Sequence, residues 1–155
     1  MTLRNIDEHA ILFFRRVAIP VARFGLFVTF FWFGILKIFG LSPASGLVEE
    51  LFNRTIPFVD FGSFLTAFAV LEIIIGILFL IKGAERVVIP LLFFHMATTT
   101  LPLFVLPQVT WLAPFVPTLE GQYIIKNILI VAAGIFIAAN LTPLRSRSTE
   151  NLLPR

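Results

Sequence analysis

Four long apolar runs dominate this sequence, at about residues 17–39, 61–81, 87–106 and 123–141. Each holds roughly 19 to 23 residues, which as helices rising ~1.5 Å per residue would cross a hydrocarbon core of ~30 Å. Inside lipid every backbone N–H and C=O must find its partner within the segment, so all four are expected to be helices. Composition agrees, since 58% of the 155 residues are hydrophobic and only 14% charged. A soluble domain of that length could not cover its surface with so few polar groups. The expectation is an all-α integral membrane four-helix bundle forming a single domain over residues 1–155, in a cell inner (plasma) membrane.

The basic residues orient it. Arg4, Arg15 and Arg16 precede the first run, Lys82 and Arg86 lie between the second and third, and Arg145, Arg147 and Arg155 follow the fourth. The other two connections carry only Arg54, so the positive-inside rule predicts both termini in the cytoplasm, with a tail from 143 to 155. Phe24–Leu36 has the length of a signal-peptide core, and Ser42-Pro43-Ala44 offers small residues beyond it. Lys37 and the acidic pair Asp7–Glu8 argue against cleavage. Between the first two runs, Leu47, Val48, Leu51, Phe52 and Ile56 recur at helical spacing among Glu49, Glu50 and Arg54, which predicts a short interfacial helix. The connection "LPQVTWLAPFVPTLEGQ" is rich in proline and aromatics and is expected to lie against the outer interface.

Several chemistries are excluded by composition. The chain has no cysteine, hence no disulfide, thiolate or iron–sulfur ligation. Of its two histidines, His9 precedes the first run and His95 lies inside the third, so no metal site is expected. The formal charge of +3 is dispersed rather than gathered into a stripe, which argues against a nucleic-acid partner. No nucleophile–base pair or phosphate-binding glycine loop occurs, so no self-contained catalytic site is expected. Membrane lipid is the partner the composition demands.

One stretch, "VLEIIIGIL" at 70–78, sets Glu72 in an aliphatic run near mid-depth. An ionised carboxylate there must be paired, wet or protonated. Gly62, Ala69, Gly76 and Gly83 recur every seven residues on its side of the helix, which predicts close approach of another helix. His95 is the central candidate on the third run. Lys37 ends the first run, while Lys126 and Asn127 open the fourth. Arg23 lies in the inner half of the first. These residues could form a polar column for binding or proton relay, with Arg23 inside, Glu72 and His95 central, and Lys126 and Lys37 outside. Each also has a plain structural reading: snorkelling for Arg23 and Lys37, neutralisation of Glu120 for Lys126, and a backbone hydrogen bond for His95.

The segments "FFWFGILKIFG", "AVLEIIIGILFLIKGAER", "ATTTLPLFVLP" and "GQYIIKNILIVAAG", in that order over about residues 20–140, resemble the DoxX-like superfamily of membrane proteins. Its YkgB-type branch, linked to reactive-chlorine resistance, looks most similar. The positions that carry the resemblance are Gly34, Lys37, Glu72, Gly76, Lys126 and Asn127. Asn127 stands where that branch often has Asp, so no second carboxylate accompanies Lys126, and the first outer connection is shorter than in the branch. The resemblance implies an accessory or quinone-interacting subunit of a membrane redox or oxidative-stress system, with quinone as ligand, no intrinsic cofactor, and a redox partner protein supplying electrons. A small-solute or proton pathway, a structural or assembly factor, and a homo-oligomer remain open alternatives.

Overall fold

A computed structural model of the chain describes residues 3–144. Four of its helical segments are long and apolar enough to cross a membrane, at Leu3–Ile38, Phe61–Leu80, Glu85–Val105 and Leu119–Ala139. They assemble as a helical bundle, the build of a multi-pass membrane protein. The expected tail beyond Leu144, with its three arginines, lies outside the described residues.

Helix α1 (Leu3–Ile38) starts well before its apolar run. The helix runs through Pro20, which cannot donate to the Arg16 carbonyl, and an Arg4–Glu8 ion pair at 3.1 Å braces the exposed first turns. At ~1.5 Å per residue the helix extends over roughly 54 Å, well beyond the ~30 Å a bilayer core needs. Its end is specified locally. Gly40 adopts φ 68°, the Leu41 N–H donates to the Leu36 carbonyl at 2.8 Å, and the Gly40 N–H donates to that of Lys37 at 3.1 Å. This double closure needs a residue that tolerates the left-handed region, hence glycine. The chain then turns into α2 (Ser45–Thr55), which buries Phe52. A helix between the first two spans is therefore present.

Helix α3 (Phe61–Leu80) is capped by Asp60, whose Oδ2 accepts the Ser63 N–H at 2.8 Å. That backbone hydrogen bond, joined by the Ser63 hydroxyl, holds the Asp60 carboxyl below the usual aspartate range. A depressed folded value stabilises above the unfolded value and loses that contribution as pH falls through the folded one. Acidification from about pH 5 towards pH 2, followed by thermal unfolding, is therefore expected to cost the wild type more than Asp60→Asn, which caps without titrating. Equal losses would refute the capping role.

A turn through Gly83 (φ 90°) leads into α4 (Glu85–Thr100), which α5 (Pro102–Val105) extends. Pro102 lacks the N–H that would continue the α4 ladder, and the Thr98, Thr99 and Thr100 hydroxyls turn back onto the carbonyls of His95 and Met96 at 2.7–3.1 Å. Beyond α6 (Pro107–Thr110) the described chain departs from an all-helical fold: β1 (Trp111–Ala113) pairs antiparallel with β2 (Val116–Pro117). Prolines at 107, 114 and 117 prevent a continuous helix, and the Trp111 indole N–H bonded to the Leu103 carbonyl at 3.0 Å anchors the hairpin. The last span begins at Leu119 rather than Tyr123, because the Thr118 hydroxyl accepts the Gly121 N–H at 3.1 Å and caps α7 (Leu119–Lys126). It continues into α8 (Ile128–Ala139) across a break at Asn127.

The apolar core joins Leu26 and Phe30 of α1, Ile75 and Phe79 of α3, Val88, Ile89, Leu92 and Met96 of α4, and Ile137 of α8. The tightest crossing is between α1 and α3. A Cβ on Gly34 would stand 2.8 Å from Ile73 Cγ1 and 2.9 Å from the Ala69 carbonyl oxygen, and one on Gly76 would stand 2.8 Å from the Phe31 nitrogen. Of the seven-residue stripe, Ala69 and Gly76 lie in this interface. Gly62 has only the Asp60 carboxylate near it and Gly83 faces open space, because one sits in the first turn of α3 and the other beyond its end.

Candidate functional site

The spans bury residues along one side, and on α1, α3 and α4 one of those positions is ionisable. On α1 the stripe runs Leu26, Phe30, Gly34, Lys37; on α3 it includes Ala69, Glu72, Gly76 and Phe79; on α4 it runs Val88, Leu92, His95. The helical period that buries the apolar members brings the polar ones inward too. Glu72 is 5% exposed, His95 2% and Lys37 9%.

The three side chains meet. Lys37 Nζ donates to Glu72 Oε2 at 2.6 Å, and His95 Nε2 lies 3.3 Å from Glu72 Oε1. Withdrawing two charges from water costs several kcal/mol per ion, so each is tolerable only with its partner in place. Ammonium and carboxylate together are neutral, and the carboxylate's second oxygen is left for the imidazole. A neutral imidazole facing a carboxylate donates Nε2–H, which makes Nδ1 an acceptor. Among the described residues, buried Nδ1 has no partner.

Aromatic rings frame the imidazole. Phe68 stacks on it at 4.7 Å between centroids and 29° between planes, and Phe30 meets it edge-on at 5.3 Å and 73°. Lys37 Nζ also lies 5.7 Å from the Phe68 ring centre. The stack continues through Phe64, 5.8 Å from Phe68, to Phe52 of α2, 4.8 Å from Phe64. The polar cluster therefore sits between the apolar core and an aromatic cover leading to α2. Phe30 and Phe68 carry no sequence mark among 19 phenylalanines beyond their spacing, seven residues before Lys37 and four before Glu72.

The remaining polar candidates lie elsewhere. Arg23 is one α1 stretch away, roughly 21 Å along the helix from Lys37. Its Nε donates to the Phe79 carbonyl at 2.7 Å and its Nη1 pairs with Glu85, so it ties α1 to the end of α3 and the start of α4. Glu85 was not a sequence candidate; its signal was its place just past the α3 turn, at the depth Arg23 occupies. Lys126 is exposed, with its Nζ 5.3 Å over the Tyr123 ring, and among the described residues it forms no ion pair with Glu120 or Glu72. Asn127 marks the α7–α8 break, where its carbonyl accepts from Ile130 and Val131 at 3.0 and 3.1 Å. The expected column thus separates into a Lys37–Glu72–His95 cluster, an Arg23–Glu85 clamp and an exposed Lys126.

No group of three or more His, Asp or Glu side chains is placed to hold a metal among the described residues. Two open grooves of about 370 Å³ lie outside the cluster, one between α4 and α8 beside Phe93, Met96, Thr100 and Val131, the other at the hairpin beside Trp111 and Phe115.

The chain matches no family model, no curated protein and no solved structure.

Proposed function

We propose that this protein is an accessory, quinone-interacting subunit of a membrane redox or oxidative-stress system, and that the Lys37–Glu72–His95 cluster is where the quinone headgroup binds. The observation that carries the reading is the cluster itself: an ammonium, a carboxylate and an imidazole from three membrane-length helices, buried together. Such a group offers donors, acceptors and an exchangeable proton to a lipid-borne ring, and intramembrane ionisable groups are costly enough that a function is the default reading. The resemblance to the DoxX-like superfamily points the same way, through Gly34, Lys37, Glu72 and Gly76, which meet at the α1–α3 crossing. In this reading electrons would come from a partner protein.

The setting we propose is an inner membrane with both termini cytoplasmic. Arg15, Arg16, Lys82 and Arg86 gather at the end of the bundle marked by the Arg23–Glu85 clamp, while α2 and Lys126 occupy the opposite end, which suits the positive-inside rule. There α2 would lie along the outer interface.

A second reading, in which the cluster only locks the helices, is favoured by the burial of all three side chains. Lipid extraction and native mass spectrometry of the purified protein separate the two. The expected outcome is quinone retained by the wild type and lost from both Glu72→Gln and a Lys37→Met/Glu72→Gln double variant, the latter being the one expected to remain well folded. Absence of quinone from a folded wild type, including after incubation with added quinone, would leave the lock reading standing alone.

A further inference from the structure

Lys37 and Glu72 complete each other, and His95 Nε2 lies 3.3 Å from the carboxylate's other oxygen, but one atom of the cluster is left over. His95 Nδ1 is buried, belongs to a residue 2% exposed, and has no hydrogen-bond partner among the described residues. The threonines that follow it cannot serve, because the Thr98, Thr99 and Thr100 hydroxyls are committed to the carbonyls of His95 and Met96. Ring rotation offers no escape either: a half-turn about Cβ–Cγ would put Cε1 where Nε2 stands, now 3.3 Å from Glu72 Oε1, and lose that contact.

We propose that His95 Nδ1 is the docking atom for a ligand hydroxyl, so that the site holds the hydroquinone form of its ligand in preference to the quinone. The inference rests on the quinone reading above and specifies its redox state. A neutral imidazole that turns its Nε2–H to a carboxylate accepts at Nδ1. A quinone presents carbonyl oxygens, which only accept, whereas a hydroquinone presents O–H donors. A buried acceptor left without a donor is disfavoured, so the donor-bearing form gains what the oxidised form cannot supply. Phe68 against the imidazole face and Phe30 against its edge make the surroundings of the ring apolar and aromatic, which would strengthen a hydrogen bond made there.

The test uses full-length protein in lipid nanodiscs carrying His9→Gln, which leaves His95 as the only histidine, with ¹⁵N-labelled imidazole. The probes are a short-chain benzohydroquinone, kept reduced, and the corresponding benzoquinone, with reductant alone as the blank. Expected are an Nδ1 resonance without a proton in the free protein, a shift of that resonance on adding hydroquinone, and binding at least about 10-fold tighter for hydroquinone than for quinone. The variant His95→Gln can keep a donor towards Glu72 while removing Nδ1, and is expected to bring the affinity ratio to about one. A proton already on Nδ1 in the free protein, or an unchanged ratio in His95→Gln, would overturn the proposal. Equal affinity for both redox forms would overturn it while leaving the quinone reading intact; no binding of either form would remove both.

Discussion

Replacing Glu72 by glutamine is expected to lower the stability of the purified protein by about 3–5 kcal/mol, the usual cost of removing one partner from a buried ion pair. The glutamine has nearly the shape of the glutamate, so little packing is lost. What is lost is the countercharge of Lys37, which is 9% exposed and donates to Glu72 Oε2 at 2.6 Å. The lysine must then remain charged without a partner or give up its proton, and both are unfavourable. Lys37→Met should be costly for the mirror-image reason. The double variant tests the cause, because it contains no buried charge at this position. It is expected to return to within about 1 kcal/mol of the wild type, since replacing a buried pair by apolar or neutral groups of similar volume is often near-neutral. The coupling energy from the four proteins, read by reversible unfolding in mixed micelles, should then be several kcal/mol and favourable. A Glu72→Gln loss below about 1 kcal/mol, or additive single effects, would mean that the two groups are not a desolvated pair.

The outline of this fold was legible because lipid leaves a chain few choices. A run of some 20 apolar residues with no water to satisfy its backbone has to be helical, and the four runs became four membrane-length helices. Glu72 was legible for the related reason that a carboxylate inside such a run cannot be left alone. Its partners were less so. Hydropathy fixes depth along a helix but not rotation about it, so Lys37 and Lys126 were equally eligible. Rotation decides between them: Lys37 continues the stripe of Leu26, Phe30 and Gly34, whereas Lys126 lies off the buried positions Gly121 and Ile124 of α7. The glycine stripe overreached at both ends, because a repeat says nothing about where a helix begins and stops. Gly62 and Gly83 fall at those limits. The hairpin at 111–117 was hidden by strands of three and two residues, too short for an alternating pattern to emerge.

The glycines of the α1–α3 crossing carry the second large expected effect, and they do so against the usual direction. Within a helix, Gly→Ala ordinarily stabilises by up to about 1 kcal/mol, because alanine has less backbone freedom to lose. Gly25 of α1 is the internal control, having nothing within 4 Å of a would-be Cβ, and Gly25→Ala should be neutral or gain by that amount. At Gly76 the same methyl would stand 2.8 Å from the Phe31 nitrogen and 3.1 Å from the Phe27 carbonyl oxygen. These are backbone atoms of a neighbouring helix, which cannot rotate away as a side chain can. Gly76→Ala is therefore expected to destabilise by about 1–3 kcal/mol, the range for overpacking a tight contact. Gly34→Val should act similarly through the Ala69 carbonyl and Ile73. It should also reach the polar cluster, since Lys37 lies one turn further along the same stripe and can meet Glu72 only while α1 and α3 stay this close. The specific expectation is that the Lys37–Glu72 coupling energy, remeasured in the Gly34→Val background, falls by at least half. If instead it holds at its full value while overall stability drops, the pair does not depend on the crossing, and the small residues serve packing alone.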